Sequence, residues 1–150
     1  MGNITRRAGL IPYLISPNGQ LVMGFMVPSD SAFGGTLPQI AKGTVDDGET
    51  DLQAAMREGE EELGVSSAHY ASTPHLVATS VGNTPLVVYA VNILTCTNLN
   101  EPHFETGRVV FLTADEFYAI GRDWQRLAVS EIANKLESGH RITKPRSFRK

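Results

Sequence analysis

GTVDDGETDLQAAMREGEEELGV, running from Gly43 to Val65, is the stretch of sequence from which the fold can be read. Thr50-Asp51-Leu52-Gln53 fits a capping box, in which hydroxyl and amide side chains satisfy each other's orphan backbone donors, so a helix is expected to start at Thr50. Asp51 in its first turn complements the positive end of the helix dipole. Leu52, Ala55, Met56, Gly59 and Leu63 recur at 3.6-residue spacing and form the stripe that should face a core. Each helical residue advances by about 100°, which places Glu58, Glu61 and Glu62 in one arc of about that width, away from the stripe, with Ala54 leaving room beside them. Carboxylates crowded in this way repel one another unless cations neutralise them, and hard oxygen ligands suit Mg²⁺ or Mn²⁺. Arg57 lies on a neighbouring face, positioned to reach back to Glu49, and Gly43 begins the loop where a backbone carbonyl can point at a metal.

A solvated acidic helix face is the ordinary meaning of a run of glutamates. The spacing sets this run apart. It reads Gly43, five residues, Glu49, seven residues, Arg57-Glu58, two positions, Glu61-Glu62, one position, Gly64 and an apolar Val65. Seven fixed positions at an average usage of roughly 6% each make a chance match in a chain of this length rarer than about one in a million.

This pattern resembles the Nudix box. The likeness extends to the early strand Arg7-Ala8-Gly9-Leu10-Ile11 and to the approach Gln39-Ile40-Ala41-Lys42-Gly43. Two positions depart from it: Gly59 stands where relatives usually carry an aliphatic residue, and Ala41 where they often carry proline. A glycine inside a helix costs about 1 kcal/mol relative to alanine, and its compensation is expected to be a closer approach of helix to sheet. The resemblance implies the Nudix fold, an α/β/α sandwich on a mixed β-sheet, and hydrolysis of a nucleoside diphosphate linked to another group. It also implies roles: Glu58, Glu62 and the Gly43 carbonyl as metal ligands, Glu61 as ligand or water activator, and Arg57 with Glu49 as the orienting pair. Glu105, six residues before Phe111, is the second candidate for the group that takes the water's proton, because some relatives carry a glutamate there.

Around this segment the chain divides into strands and helices. Ala8 to Ser16, the turn Pro17-Asn18-Gly19 and Leu21 to Met26 predict a hairpin. Pro28 to Gly35 is loop-like and suited to lie over a site, and a short extended piece follows near Gln39-Ile40. His75 to Val81 and Pro85 to Leu94, separated by Gly82-Asn83-Thr84, predict a second hairpin, and Arg108 to Leu112 a further strand. Thr113-Ala114-Asp115-Glu116 is another capping box. Trp124, Leu127, Ala128, Ile132 and Leu136 predict a last helix ending near Gly139, with Trp124 in the core rather than on a ligand. The order of elements predicts a mixed-sheet α/β or α+β sandwich.

With 150 residues, 41% of them hydrophobic, the chain is the size of one domain, read as 1–140 with a basic tail from 141 to 150. The net charge is −3, but Arg141, Lys144, Arg146, Arg149 and Lys150 lie in the last ten residues, leaving 8 basic against 16 acidic groups elsewhere, a net −8. An acidic body gives no support to a protein-wide nucleic-acid surface. The tail reads as a solubilising end or as a contact for an RNA 5′ end. Cys96, the only cysteine, leaves no intrachain disulfide, suits a reducing cytoplasm, and reads as a small semi-buried residue near a strand end. The apolar stretch after Arg6-Arg7 is interrupted at Pro12 and Tyr13, so no export signal is expected, and no apolar run is long enough to cross a bilayer.

Arg7, Lys42 and Gln39 are the expected substrate contacts, since long phosphate chains need positive charge beyond the metal. No proline stands about sixteen residues past Val65, as in ADP-ribose enzymes, nor a tyrosine at the spacing of many dinucleoside polyphosphate hydrolases. The entry Gly48 to Leu52 and the early Gly9-Leu10-Ile11 nonetheless look closest to the latter and to relatives acting on RNA 5′ ends, so a substrate with three or more phosphates is expected. The competing readings are a (d)NTP or nucleotide-sugar pyrophosphatase and a non-catalytic nucleotide sensor; loss of box carboxylates would favour the sensor, and none is lost.

Overall fold

The computed structural model describes residues 5–30, 32 and 36–143, with the backbone alone for 140–143. Arg7–Ile15 (β1) turns at Ser16 to Gly19 into Leu21–Pro28 (β2), and the short strand Ala41–Thr44 (β3) leads to the helix Asp51–Leu63 (α1). His75–Val81 (β4), Thr84–Asn92 (β5) and Thr106–Leu112 (β6) complete the sheet, followed by Ala114–Ile120 (α2) and Arg126–Thr143 (α3). Both capping boxes form: Thr50 accepts from Gln53 N and Thr113 from Glu116 N, with the reciprocal side-chain bonds present.

The strand order is β4-β5-β1-β2-β6. β1 is the axis of the sheet. It runs parallel to β5, while its other edge is shared, the first half pairing with β3 (Ala8 opposite Gly43) and the second with β2 (Tyr13 opposite Met23). This split opens the sheet beside β3 and lays Gly43 directly beneath α1. One face carries Ala8, Leu10, Met26, Ala41 and Val91 against Ala54, Ala55 and Leu63 of α1. The other carries Ile11, Met23, Phe25 and Val88 against Phe117 of α2 and Val129, Ile132 and Leu136 of α3. The result is the expected α/β/α sandwich on a mixed sheet.

Several local expectations change. Leu127 is 66% exposed, so the buried stripe of α3 is Ala128, Val129, Ile132, Ala133 and Leu136. Trp124 is not on that helix but in a separate 3-10 turn, Asp123–Gln125, that precedes it. α3 runs on to Thr143 past Gly139, because a glycine with open space around it weakens a helix without stopping it. Cys96 is exposed, lying beyond the end of β5. The short extended piece forms as an isolated bridge of Gln39 to Met26, with the strand proper beginning at Ala41. Within α1, Leu52 and Met56 are half-buried, whereas Ala54 and Glu58, on the arc assigned away from the core, are buried. Gly43 of β3 lies against the Glu58 carboxylate, and Ala54 packs into the core cluster on that face of the sheet. Ser31 and residues 33–35 of the expected covering loop, and the tail apart from the 141–143 backbone, lie outside the described residues.

Gly59 shows why a helix-weakening residue sits in α1. A Cβ there would stand 2.3 Å from Leu10 Cδ2, so the glycine lets the helix settle onto β1 at a distance that a side chain would forbid.

Tyr70 packs against the same face with its hydroxyl buried and without a partner among the described residues. Burial, helped by the charge of Glu60, pushes its phenol up to about 12. A buried hydroxyl with no hydrogen bond costs about 1–3 kcal/mol, so Tyr70→Phe is expected to stabilise the fold by about 1 kcal/mol in thermal unfolding. The sign with pH follows from the raised folded value. The hydroxyl's contribution is intact below pH 10, where the unfolded phenol is neutral, and declines as pH rises from 10 towards 12. The phenylalanine variant should lack this decline. A variant less stable than the wild type at neutral pH would show that the hydroxyl makes a favourable bond.

Candidate functional site

Arg57 organises the loop between β3 and α1. Its Nε donates to Glu49 Oε2 at 2.7 Å and its Nη2 to Glu49 Oε1 at 3.0 Å, a two-pronged pair that ties loop to helix as expected from the sequence. Nη2 also donates to the Thr44 carbonyl at 2.9 Å, and Glu49 Oε1 accepts from Asp46 N at 2.9 Å. The hydrogen bonds from Arg57 and the Asp46 backbone hold the Glu49 carboxyl down at about 2, and the same pairing raises Arg57 further above its ordinary value. The pair therefore stays ionised across the physiological range.

The other edge of the guanidinium faces the carboxylates. Arg57 Nη1 donates to Glu58 Oε2 at 2.9 Å and stands 3.5 Å from Glu61 Oε2. Glu58 is only 7% exposed and lies against Gly43: a Cβ on Gly43 would come within 2.1 Å of Glu58 Oε2 and 2.7 Å of Oε1. Glycine at this position thus leaves the space that the Glu58 carboxylate occupies. Glu62 lies one helical turn on and accepts from the Lys42 backbone N at 3.1 Å. Burial, and then the charge of Glu61, pushes Glu58 up from the usual carboxylate range. Burial, then the charges of Glu58 and Glu105, pushes Glu62 up to about 8 despite the Lys42 contacts.

Glu105 thus belongs electrostatically with the box, although it stands just ahead of β6. The segment carrying it wraps the C-terminal end of α1: Asn100 N donates to Gly64 O at 2.9 Å, His103 N to Glu61 O at 2.7 Å and Thr106 Oγ1 to Glu62 O at 2.9 Å. Ser29 N holds the Glu105 carbonyl at 2.9 Å. Carbonyls at a helix end need partners, and here supplying them also fixes Glu105 beside the carboxylate helix. None of Asn100, His103 or Thr106 carries a sequence signal for this role.

Lys42 extends in the opposite direction. Its Nζ donates to Gln39 Oε1 at 3.1 Å, and Arg122 Nη1 donates to the same oxygen at 3.0 Å. Both cations lie over the Trp124 ring, each 5.8 Å from its centroid, which places the tryptophan at the site's margin as well as against the core. Burial, then the neighbouring charges of Arg7 and Arg122, lowers Lys42 to about 8 even with Glu62 and Glu58 opposing. Arg7, Lys42 and Gln39 are therefore brought together near the carboxylates, and Arg122 joins them unannounced by the sequence.

Among the described residues no three acidic, histidine or cysteine side chains are already gathered round one point as a bound metal requires. Arg57 accounts for part of this, since it draws Glu58 and Glu61 towards itself. The donor set nonetheless fits a hard dication. Glu58, Glu61, Glu62 and Glu105 share one neighbourhood, and Glu58 and Glu62 are raised by burial and by the charges of neighbouring carboxylates.

Solved structures similar to this chain share its fold at low identity. A C. elegans Ap4A hydrolase, in a binary complex, is 17% identical with a TM-score of 0.71, over 90% of this chain and 99% of that one. A Nudix hydrolase from M. smegmatis, RenU, is 19% identical with a TM-score of 0.66, over 93% and 87%. The NUDIX domain of Shewanella oneidensis NrtR, complexed with ADP ribose, is 12% identical with a TM-score of 0.66, over 90% and 89%. No curated protein matches the sequence. No helix among the described residues is long and apolar enough to cross a membrane. The NUDIX domain matches residues 5–131, which span the sheet, the carboxylate helix and the segment carrying Glu105, and the chain belongs to that family.

Proposed function

We propose that the protein is a Mg²⁺-dependent pyrophosphohydrolase acting on nucleotides with three or more consecutive phosphates, dinucleoside polyphosphates foremost. General hydrolysis of nucleotide phosphoanhydrides comes with the family; the substrate, the metal and the residue roles are our reading. The observation that carries it is the adjacency of two opposite charge clusters. Repelling carboxylates on α1 lie next to Lys42, which leads away from them to a second cation at Arg122.

Glu58 and Glu62, with the Gly43 carbonyl, would hold the metal, with Glu61 beside them. Bound Mg²⁺ supplies charge neutralisation for phosphate oxygens and acidifies the attacking water. Arg57, locked on Glu49, holds Glu58 in place through its remaining edge. Lys42 and Arg7 offset the charge of the phosphate chain. Glu105 accepts the water's proton, a role supported by its place beside Glu62 and by its having no ion-pair partner among the described residues, whereas Glu61 shares Arg57.

Phosphate release with Mg²⁺ across a panel of (d)NTPs, nucleotide sugars, ADP-ribose, dinucleoside tetraphosphates and 5′-triphosphorylated RNA tests the reading. Turnover should be highest on members with three or more phosphates. Binding without turnover on every member would favour a sensor. Glu105→Gln is expected to lower kcat by about 10²-fold or more at saturating Mg²⁺, the usual scale for a lost general base. Unchanged turnover would remove Glu105 from the mechanism and leave Glu61.

A further inference from the structure

We infer that Lys42 and Arg122, held together on Gln39 over Trp124, form an anion subsite for a phosphate group remote from the bond that is cleaved, with Arg122 the residue that selects longer phosphate chains. This rests on the reading of the site as a phosphoanhydride hydrolase and adds to it a residue outside the box.

Two like charges are brought within reach of a single amide oxygen, Gln39 Oε1, at 3.1 and 3.0 Å. Gln39 is 2% exposed, so the oxygen is presented from within the fold and is not a loose surface acceptor. That oxygen and the face of Trp124 are shared by both cations, and Glu62 and Glu58 draw on Lys42, which leaves Arg122 the less compensated of the two. Neither Lys42 nor Arg122 makes an ion pair among the described residues, since Asp123, the acidic group next to Arg122 in sequence, pairs with Arg126 at 3.1 Å. Repulsion of this kind is relieved by an anion bridging both donors, and a phosphate offers several oxygens to a guanidinium and an ammonium at once.

The arrangement is also held in place. Arg122 N donates to the Pro38 carbonyl at 3.0 Å, Gln125 N to the Arg122 carbonyl at 3.0 Å, and Gln125 Oε1 accepts from Ile40 N at 2.8 Å. These bonds fasten the turn after α2 to the segment entering β3, so Arg122 arrives at the site on a braced backbone. Its distance from the box follows from Lys42, whose main-chain N is on Glu62 and whose Nζ is at Arg122's acceptor. A phosphate at the carboxylates is thus one lysine side chain away from Arg122. A diphosphate link centred on the metal need not reach it, whereas a longer chain does.

Trp124 is the only tryptophan, so its emission reports directly on the subsite. In EDTA, inorganic tripolyphosphate should change the emission of the wild-type protein, and Arg122→Gln should weaken that binding about tenfold or more, the scale of one lost charged hydrogen bond. With Mg²⁺, the same variant should raise KM about tenfold for a dinucleoside tetraphosphate or ATP while kcat is kept, and should leave KM for ADP-ribose within about twofold. Arg122→Met, which keeps the stem over Trp124, serves as a second neutral variant if glutamine disturbs the fold. Unchanged tripolyphosphate affinity in a folded neutral variant, or equal KM changes for two- and four-phosphate substrates, would overturn the inference. If the wild type cleaves no member of the panel, the proposed activity fails, and the EDTA titration still decides the subsite.

Discussion

Glu62→Gln is expected to abolish nearly all Mg²⁺-supported turnover, by about 10³-fold or more, while making the metal-free protein more stable at alkaline pH. The first effect follows from losing a charged ligand, since metal stabilisation of a phosphoryl transition state is worth several kcal/mol and each 1.36 kcal/mol is tenfold in rate. The second follows from the site's electrostatics. Burial and the charges of Glu58 and Glu105 raise the Glu62 carboxyl to about 8, well above the value of 4.5 it starts from. An acid whose folded value is raised contributes fully below the unfolded value and loses that contribution as pH climbs through the folded one. Wild type and variant should therefore match in stability near pH 4 and diverge as pH rises from about 4.5 towards 8, beyond which the difference levels off, the variant gaining several degrees in Tm at about 2–4 °C per kcal/mol. The amide oxygen of the glutamine can still accept from Lys42 N, so the strand contact is kept. Thermal unfolding from pH 4 to 9 in EDTA, together with steady-state turnover, checks both halves. An inactive variant that is also less stable at pH 9 would point to a structural role for Glu62.

Gly64→Ala is expected to cost about 3 kcal/mol of stability and to lower turnover with it. Gly64 ends α1 in the left-handed conformation, φ 71° and ψ 18°, donating to Glu60 O at 3.0 Å. Placing a Cβ in that conformation costs about 1–2 kcal/mol by itself. Here the Cβ would also stand 1.8 Å from the Asn100 carbonyl oxygen and 2.7 Å from its carbon, which are backbone atoms unable to rotate away. Relieving that overlap adds about 1–3 kcal/mol. It also shifts the segment that braces Glu61 and Glu62 through His103 and Thr106 and carries Glu105, hence the loss of activity. Gly48→Ala is the control. Gly48 has φ 84° but nothing within 4 Å of its would-be Cβ, so only the conformational penalty of about 1–2 kcal/mol applies. Chemical denaturation of the two variants should separate them by at least about 1 kcal/mol, and equal losses would mean that the Asn100 contact is not what constrains Gly64.

The local chemistry of the box was legible in the sequence because it is written in short-range terms. Thr50 and Gln53 are three residues apart, Arg57 and Glu49 eight, and the helical period alone groups the three glutamates. Strand and helix order followed from alternation, turn residues and capping boxes, and the fold class from their succession. Periodicity was a weaker guide to packing. It put Glu58 away from the core and Leu127 within it, since a wheel shows which residues share a face but not what covers that face.

The tertiary structure alone decided how the site is completed. Arg122 meets Gln39 across 83 residues, Thr106 meets Glu62 across 44, and Gly59 owes its place to Leu10, all contacts made only after the sheet has brought distant segments together. Burial, which raises Glu58 and Glu62, is likewise a property of the assembled layers. The order of residues was enough to gather carboxylates on one helix and so to indicate the class of chemistry. The folded sheet decided how strongly they repel, which cations face them and which glutamate joins from outside, because solvent exclusion and long-range Coulomb terms depend on where the chain returns and not on the order in which it is written.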